Sequence, residues 1–294
     1  MAVKPVGFLI FAATLATLAL VSTLHAQTTR LGIPYAGVDD AKRSLDVYAP
    51  ANAKNLPVAF WIHGGGWHFG DKAEVKLKPQ TFMDKGFIFV SVNYRLMPAV
   101  DMGALVRDVA QSFRWVEDHI AEFGGDPKRV LVAGHSAGAQ LAALLCTDER
   151  YLKEQGISFD VLKGCMPLDG DTYDVPAIVE VEELRWRLHG MTVPNVTHRA
   201  EFGTDPAHLR DFSAVYHVAK DKGIPPFLIV HISANPDTTA QAFRLGAVLK
   251  EAGIDEKVFT AREKTHNQLN DDLGKPDDPT TNAMYEFLAK AFAK

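Results

Sequence analysis

The sequence has only two cysteines, and it contains no HExxH, no paired CxxC and no glycine-rich phosphate loop. Metal or nucleotide sites built on those motifs are therefore not indicated, and we expect neither a metal nor a cofactor. Cys146 ends an apolar helical run and Cys165 lies in an apolar strand-like run. We expect two buried free thiols, while a disulfide stays open for a chain that folds in an oxidising compartment.

Basic residues are not in excess, since 31 Lys and Arg stand against 36 Asp and Glu, a formal net charge of −5. A nucleic-acid partner is therefore not indicated. The chain also lacks internal repeats, low-complexity tracts and a Pro/Gly/Ser-rich linker, and 47% of its residues are hydrophobic. This composition predicts one globular domain, and it does not indicate an oligomeric state.

The N-terminal residues 1–26 lack acidic side chains and carry a single Lys4 before a long uncharged run that ends near Ala26. This pattern predicts a signal peptide, a mature chain of residues 27–294 that begins near Gln27, and a secreted or periplasmic location. Cleavage would remove one lysine and no acid, so the net charge would become −6. A membrane span is the alternative because the run is near 18 residues, but we expect no stable span after processing.

Short apolar runs with strand character alternate with helical patterns through most of the chain. The runs lie at 44–49, 57–63, 87–94, 129–134, 161–168, 226–232 and 257–261. The clearest helical stripe consists of Leu105, Val109, Phe113, Val116 and Ile120. The alternation predicts an α/β fold with a mainly parallel sheet and helices on both faces. Such sheets bind ligands at the carboxyl ends of their strands.

The segment GHSAG places Ser136 between the strand RVLVAG and the helical run AGAQLAALLC. Gly134 and Gly138 permit close backbone approach on both sides of a sharp turn, and the following helix start favours developing negative charge. A turn of small residues that packs helix on strand is the alternative. The strand-to-helix context favours Ser136 as a nucleophile.

A second motif, HGGGW at 63–67, directly follows the strand PVAFWIH. Glycines allow backbone amides to face a substrate oxygen, as an oxyanion hole requires. We predict the amides of Gly65, Gly66 and Ala137 as the donors. A flexible turn is the alternative, but the occurrence of both motifs in this order favours the oxyanion hole.

These motifs, together with LDVYAP, VSVNYRL, FGTDP and PPFLIVH, resemble the α/β-hydrolase superfamily. The resemblance is to the HGGG-bearing carboxylesterases related to hormone-sensitive lipase and to bacterial feruloyl and acetyl esterases, and it extends over roughly residues 45–270. It implies a serine esterase of the α/β-hydrolase fold that acts on a small-molecule ester. It also implies the order Ser, acid, His, with the acid and the base on loops after late strands.

The base and the acid are predicted from that order. His266, which follows the strand KVFTA, is the only histidine beyond the candidate acid loop, and we predict it as the base. Relatives often carry Asp three or four residues beyond the histidine of the strand that corresponds to PFLIVHI at 226–232, where this chain has Ala234 or Asn235. Asp237 is the nearest carboxylate and is the predicted acid, with a helix N-cap as its alternative role. Asp171 and Asp174, which follow the earlier strand at 161–168, are alternatives for the acid, because some α/β hydrolases place the acid after that strand.

The long stretch between residues 168 and 226 contains the amphipathic run VEVEELRWRLHGM. We predict a small insert at about 171–200, near the carboxyl ends of the strands, which forms either a cap over the site or an ordinary surface helix. The prediction for the whole chain is a carboxylic-ester hydrolase. An amide hydrolase of the formamidase or peptidase type with the same three residues, or a catalytically inactive binding protein on the same fold, are the alternatives.

Overall fold

The computed structural model describes Met1, residues 27–190 and residues 198–293. The predicted signal peptide lies outside the described residues except for Met1, and so does part of the predicted insert. In the described part of the chain, no helix is long and apolar enough to span a membrane.

Eight strands of the described residues form one sheet. They are β1 (Thr28–Pro34), β2 (Ser44–Ala49), β3 (Leu56–Ile62), β4 (Ile88–Val92), β5 (Gly125–His135), β6 (Leu162–Leu168), β7 (Phe227–Ile232) and β8 (Glu256–Ala261). Their order across the sheet is β1-β2-β4-β3-β5-β6-β7-β8. The strands from β3 to β8 pair in parallel, and only the pairs of β2 with β1 and β4 are antiparallel. The predicted mainly parallel sheet is confirmed.

Ten α-helices connect or follow these strands in the described residues. They are α1 (Lys78–Asp84), α2 (Met102–His119), α3 (Ala137–Thr147), α4 (Glu149–Glu154), α5 (Val175–His189), α6 (Arg199–Phe202), α7 (Pro206–Asp211), α8 (Pro236–Glu251), α9 (His266–Asp271) and α10 (Pro279–Ala291). Helices α5, α6 and α7 lie between β6 and β7, where the insert is predicted. Cys146 and Cys165 are free and buried, as predicted.

Strand β3 shows why the apolar runs do not alternate with polar residues. Its side chains point alternately to opposite faces of the sheet, and each face is covered by a separate core. Val58, Phe60 and Ile62 belong to one core, whereas Ala59 and Trp61 belong to the other. All five are at most 1% exposed, so both faces require apolar residues.

The predicted apolar stripe is fully buried in the first of these cores; four of its residues lie in α2, and Ile120 directly follows the helix. Phe113 of this stripe packs against Phe60, with ring centroids 5.2 Å apart. The helix begins after Asp101, whose carboxylate accepts a hydrogen bond from the amide of Ala104 at 2.7 Å. This N-cap and the buried stripe explain why the helix forms at this point of the chain.

The parallel strands determine where the motif residues meet. HGGGW follows β3, Ser136 follows β5, and His266 follows β8, so all three lie beyond the carboxyl ends of strands in one sheet. Residues more than a hundred positions apart in sequence are thereby brought to one edge of the sheet, as expected for this class of fold.

Candidate active site

Ser136 occupies a strained turn between β5 and α3. Its backbone has φ 57° and ψ −123°, a left-handed value of φ that residues other than glycine rarely adopt. The turn is tight on both sides. A Cβ on Gly134 would lie 2.2 Å from the carbonyl oxygen of Gly138, and a Cβ on Gly138 would lie 2.2 Å from that of Ile62. Both flanking glycines are therefore required by close backbone approach, and the turn presents the serine hydroxyl beyond the sheet.

The glycine loop after β3 is anchored at both of its ends. The hydroxyl of Tyr94 donates to the carbonyl of His63 at 2.9 Å, and the two rings stack with centroids 4.3 Å apart. At the other end, the indole nitrogen of Trp67 donates to Oε1 of Gln140 in α3 at 3.3 Å. The loop is thus attached both to the segment that follows the neighbouring strand β4 and to the helix that follows Ser136.

The predicted oxyanion donors have amides that secondary structure does not use. Within the described residues, the amides of Gly65 and Gly66 donate to no other backbone group. Ala137 is the first residue of α3, and the first amides of a helix have no intrahelical acceptor. These amides remain available to a ligand, and the oxyanion hole stays a prediction.

His266 is the first residue of α9, a short helix whose N-terminus is fixed by a capping box of Thr265 and Gln268. Its Nδ1 lies 2.6 Å from Oδ2 of Asp169, the residue directly after β6. The carboxylate of Asp169 is fully buried, and its Oδ1 accepts a hydrogen bond from the amide of Ile232 at 3.0 Å. The structure therefore pairs His266 with Asp169.

The surroundings of Asp169 favour its ionised form. Burial alone would raise the pKa of this carboxyl, but the hydrogen bonds from His266 and from the amide of Ile232 outweigh burial and hold the pKa below its ordinary value. An ionised carboxylate only accepts hydrogen bonds, so the proton of the imidazole lies on Nδ1. The Nε2 of His266 is then free to accept a proton.

Ser136 and His266 line the same pocket of about 260 Å³, beyond the carboxyl ends of β3 and β5. Gly64 and Gly65 of the glycine loop form another part of its wall. The side chain of His266 is 39% exposed, so the imidazole is accessible from this pocket. Ser136, His266 and Gly65, one of the three predicted amide donors, thus line one cavity.

The position of Asp237 corrects the sequence-based assignment of the acid. Asp237 lies in the first turn of α8, and its carboxylate forms a bidentate ion pair with Arg185 of α5 rather than a contact with His266. The alternative role is not its role either, because the N-cap of α8 is Asn235, whose side chain accepts from the amide of Asp237 at 2.9 Å. The loop after β7 therefore supplies a helix cap and an ion pair.

The two rival carboxylates also lie away from His266. Asp171 faces His198, with Oδ1 and Nε2 3.5 Å apart. Asp174 caps α5 by accepting from the amide of Ala177, and it also contacts Arg244 at 3.2 Å. The loop after β6 thus supplies the carboxylate that contacts His266, but this carboxylate is neither Asp171 nor Asp174.

Asp169 was missed although the sequence carries a direct indication of it. It is the first residue beyond the strand predicted at 161–168, and side chains at that position stand at the carboxyl edge of a parallel sheet. Its φ is 53°, which turns the chain sharply there. Direct adjacency to the end of a strand is the better criterion, because Asp169 immediately follows β6 whereas Asp237 is separated from β7 by the residues 233–236.

A larger groove of about 730 Å³ lies at the amino ends of the parallel strands, between Leu56, Phe87 and Phe292. It is lined by neither serine nor histidine, so it offers no nucleophile and base. In the part of the chain that the structure describes, no cluster of three or more His, Cys, Asp or Glu side chains has the arrangement of a metal site. The smaller pocket at Ser136 is the candidate active site.

Comparison with known families assigns the chain. The family model of BD-FAE matches residues 45–245, a range that contains the glycine loop, Ser136 and Asp169. The chain belongs to the BD-FAE family. The resemblance to the α/β-hydrolase carboxylesterases is thereby confirmed.

Curated relatives have names that state ester hydrolysis. The chain is 29% identical over 284 residues to esterase LipQ of Mycobacterium tuberculosis, a match that covers 92% of this chain and 63% of that protein. It is 38% identical over 246 residues to a probable isoprenylcysteine alpha-carbonyl methylesterase of Arabidopsis thaliana, with 79% of this chain and 50% of that protein covered. This chain spans between half and two thirds of the length of these relatives.

Solved structures show the same fold. A truncated carbohydrate esterase from gut microbiota superposes with a TM-score of 0.70 at 19% identity, over 91% of this chain and 97% of the other. An esterase of Thermogutta terrifontis superposes with a TM-score of 0.65 at 24% identity, over 90% and 91%. At these identities the likeness establishes the fold, which is that of an α/β hydrolase.

Proposed function

We propose that the protein is a carboxylic-ester hydrolase that works by acyl transfer through Ser136. The observation that carries the proposal is the hydrogen bond between His266 and the buried Asp169, next to a serine on a strained strand-to-helix turn in the same pocket. The relatives named as esterases support the same reaction.

In the first half of the reaction, Nε2 of His266 takes the proton of the Ser136 hydroxyl as its oxygen attacks the ester carbonyl. Asp169 keeps the imidazole proton on Nδ1 and stabilises the imidazolium that forms. The amides of Gly65, Gly66 and Ala137 bind the negatively charged oxygen of the tetrahedral intermediate. The intermediate collapses, the alcohol leaves with the proton from His266, and the acyl group stays on Ser136.

In the second half, a water molecule replaces the alcohol. His266 removes a proton from this water, whose oxygen attacks the acyl carbonyl, and the same amides bind the second oxyanion. Collapse releases the carboxylic acid and returns the proton to Ser136. The cycle needs no metal and no cofactor, because every proton moves between the substrate, water and two side chains.

Hydrolysis of a short-chain p-nitrophenyl ester by wild type and by Ser136→Ala tests this proposal. We expect the variant to lose turnover while its thermal unfolding is unchanged, because alanine tolerates the backbone of the turn about as well as serine does. Ser233→Ala is the matched control, since it makes the same change at an exposed position after β7 and should leave kcat unaltered. Wild-type-like turnover by Ser136→Ala would contradict the proposal, and a folded wild type without turnover would favour a binding protein.

The same assay with the corresponding p-nitroanilide separates ester from amide hydrolysis. We expect the ester to be cleaved far faster. Preference for the anilide would favour the amide-hydrolase alternative.

We further propose that the protein is exported, on the basis of the uncharged N-terminal run and Ala26. Mass spectrometry of the protein from its native cells should find an N-terminus near Gln27. An intact Met1 on protein in a cytoplasmic fraction would contradict export.

A further inference from the structure

His135, the residue before Ser136, contacts the main chain of His266. Its Nε2 lies 3.0 Å from the carbonyl oxygen of His266, and the two rings are close, with centroids 4.3 Å apart. A carbonyl oxygen only accepts hydrogen bonds, so Nε2 of His135 carries a proton and donates it. The turn that presents the nucleophile therefore also donates a hydrogen bond to the residue that supplies the base.

The first glycine of HGGGW leaves room for this ring. A Cβ on Gly64 would lie 2.7 Å from the carbonyl oxygen of His135, 3.0 Å from Cβ of Ser136 and 3.3 Å from Nδ1 of His135. Any other residue at position 64 would push against both His135 and Ser136. The glycine loop thus packs directly on the histidine, which is only 7% exposed.

The imidazole of His135 is neutral near pH 7. Burial lowers its pKa to about 3, and the neighbouring charges of His266 and Lys78 lower it too, while Asp169 and the bond to the carbonyl of His266 act in the opposite direction. A neutral ring can lie against His266 without opposing the positive charge that His266 acquires during catalysis. A cationic side chain in the same place would oppose that charge.

Helix α9 needs such an anchor because it has only six residues, and short helices are marginal by themselves. The hydrogen bond from Nδ1 to Asp169 fixes one atom of the His266 ring. If the backbone of His266 moved, the ring could still turn about this atom, and Nε2 would point elsewhere. A second bond, to the backbone of the same residue, restricts this rotation. At the other end of α9, Nζ of the buried Lys78 donates to the carbonyl of Asn270 at 2.7 Å.

We propose that His135 is a positioning residue whose Nε2–H holds the main chain of His266, so that the imidazole bonded to Asp169 points Nε2 at Ser136. The inference rests on the proposed function, in which His266 is the base. It gives the residue before the nucleophile a role in catalysis that does not require contact with the substrate.

A pair of amide variants tests the inference. In His135→Gln the side-chain nitrogen occupies about the position of Nε2, so the bond to the carbonyl of His266 can form. In His135→Asn the side chain is one methylene shorter and its nitrogen falls near the position of Nδ1. We expect His135→Gln to retain most of the wild-type kcat and His135→Asn to lose about 10²-fold in kcat, because small displacements of a catalytic group have effects of this size. KM should stay near the wild-type value in both.

Thermal unfolding of both variants and the activity of His266→Ala complete the test. Equal kcat values for His135→Asn and wild type would overturn the inference, and so would equal losses in the Gln and Asn variants. A loss that appears in KM alone would also overturn it, because a misdirected base changes kcat. The proposed function is tested separately, since only its failure would leave His266→Ala fully active.

Discussion

Two regions of the molecule, the surroundings of His266 and the ion pairs near α5, use the same types of side chain for different purposes. We use the name catalytic floor for the proposed catalytic residues Ser136, Asp169 and His266 together with the proposed positioning residue His135. Its single carboxylate is fully buried against one imidazole. The charged layer consists of the ion pairs of Asp237 with Arg185 and of His198 with Asp171 and Glu182. The side chains of Asp237 and Arg185 are 24% and 44% exposed. The comparison teaches that the role of a carboxylate follows from its burial and its partner, and not from its position along the chain.

The loop after β6 shows this within three residues. Asp169 belongs to the catalytic floor, whereas Asp171 faces His198 in the charged layer. Burial opposes the charge of His198, but Asp171 and Glu182 outweigh burial and raise its pKa to about 10. In the catalytic floor, burial lowers the pKa of His135 to about 3. Near neutral pH the partly buried His198 is therefore positively charged, whereas the buried His135 is neutral.

The largest effect should come from removing the charge of Asp169. In Asp169→Asn, the amide can no longer hold the Nδ1 tautomer or stabilise the imidazolium, and we expect kcat at pH 7 to fall about 10⁴-fold, as for the same change in serine proteases. Steady-state kinetics with a p-nitrophenyl ester measure this loss, and circular dichroism checks that the variant is folded. A folded Asp169→Asn protein with near-wild-type kcat would place the acid elsewhere.

A smaller effect should appear in the pH dependence of stability. Burial lowers the pKa of His63 to about 4 and that of His135 to about 3, below the ordinary 6.5. Below pH 6.5 the unfolded chain therefore binds more protons at these two positions, and stability falls as the pH drops toward 4. Each histidine contributes a slope that approaches about 1.4 kcal/mol per pH unit between its folded and unfolded pKa values and is smaller near either of them. Below about pH 6 the histidine at position 198 is largely protonated in both the folded and the unfolded chain, so the raised pKa of His198 adds little to this slope.

Urea unfolding at pH 6, 5 and 4 measures that slope. His135→Gln should make it shallower, and His198→Gln should leave it unchanged. If His198→Gln altered the slope as much as His135→Gln does, the contrast between the catalytic floor and the charged layer would be wrong.

The smallest effect is expected from Asp237→Asn. The change breaks an ion pair with Arg185 that is partly exposed, so the free energy of unfolding should fall by no more than about 1 kcal/mol, while kcat stays near the wild-type value. Arg185→Gln is the matched control, and the double variant should lose no more than either single one. A large loss of kcat in Asp237→Asn would restore the original assignment of the acid.

The sequence predicted the sheet, the buried stripe of α2 and the segments that meet at the carboxyl edge, because periodicity and glycine placement are local properties of the chain. It did not predict the partner of His266. The turn at Asp169 and the hydrogen bond from the amide of Ile232 hold the carboxylate of Asp169 beside His266. This hydrogen bond requires β6 and β7 to be paired in the folded chain. Asp237 is a suitable candidate in the sequence because its ion pair with Arg185, which lies 52 positions away, cannot be seen there.

His135 was overlooked for a related reason. In the sequence it is one of the variable positions of a short motif, and the sequence does not show that α9 returns across the sheet to contact it. Its role depends on a carbonyl 131 positions away. Contacts between separate loops at one sheet edge are set by the topology of the whole chain.

Reaction with an activated phosphonate, followed by peptide mapping, tests the central claim most directly. The account predicts a single adduct on Ser136 in the wild type, formed at an undiminished rate in Asp237→Asn and at a greatly reduced rate in Asp169→Asn. An adduct on another residue, no adduct on the folded wild type, or a slowed reaction in Asp237→Asn instead of Asp169→Asn would contradict it.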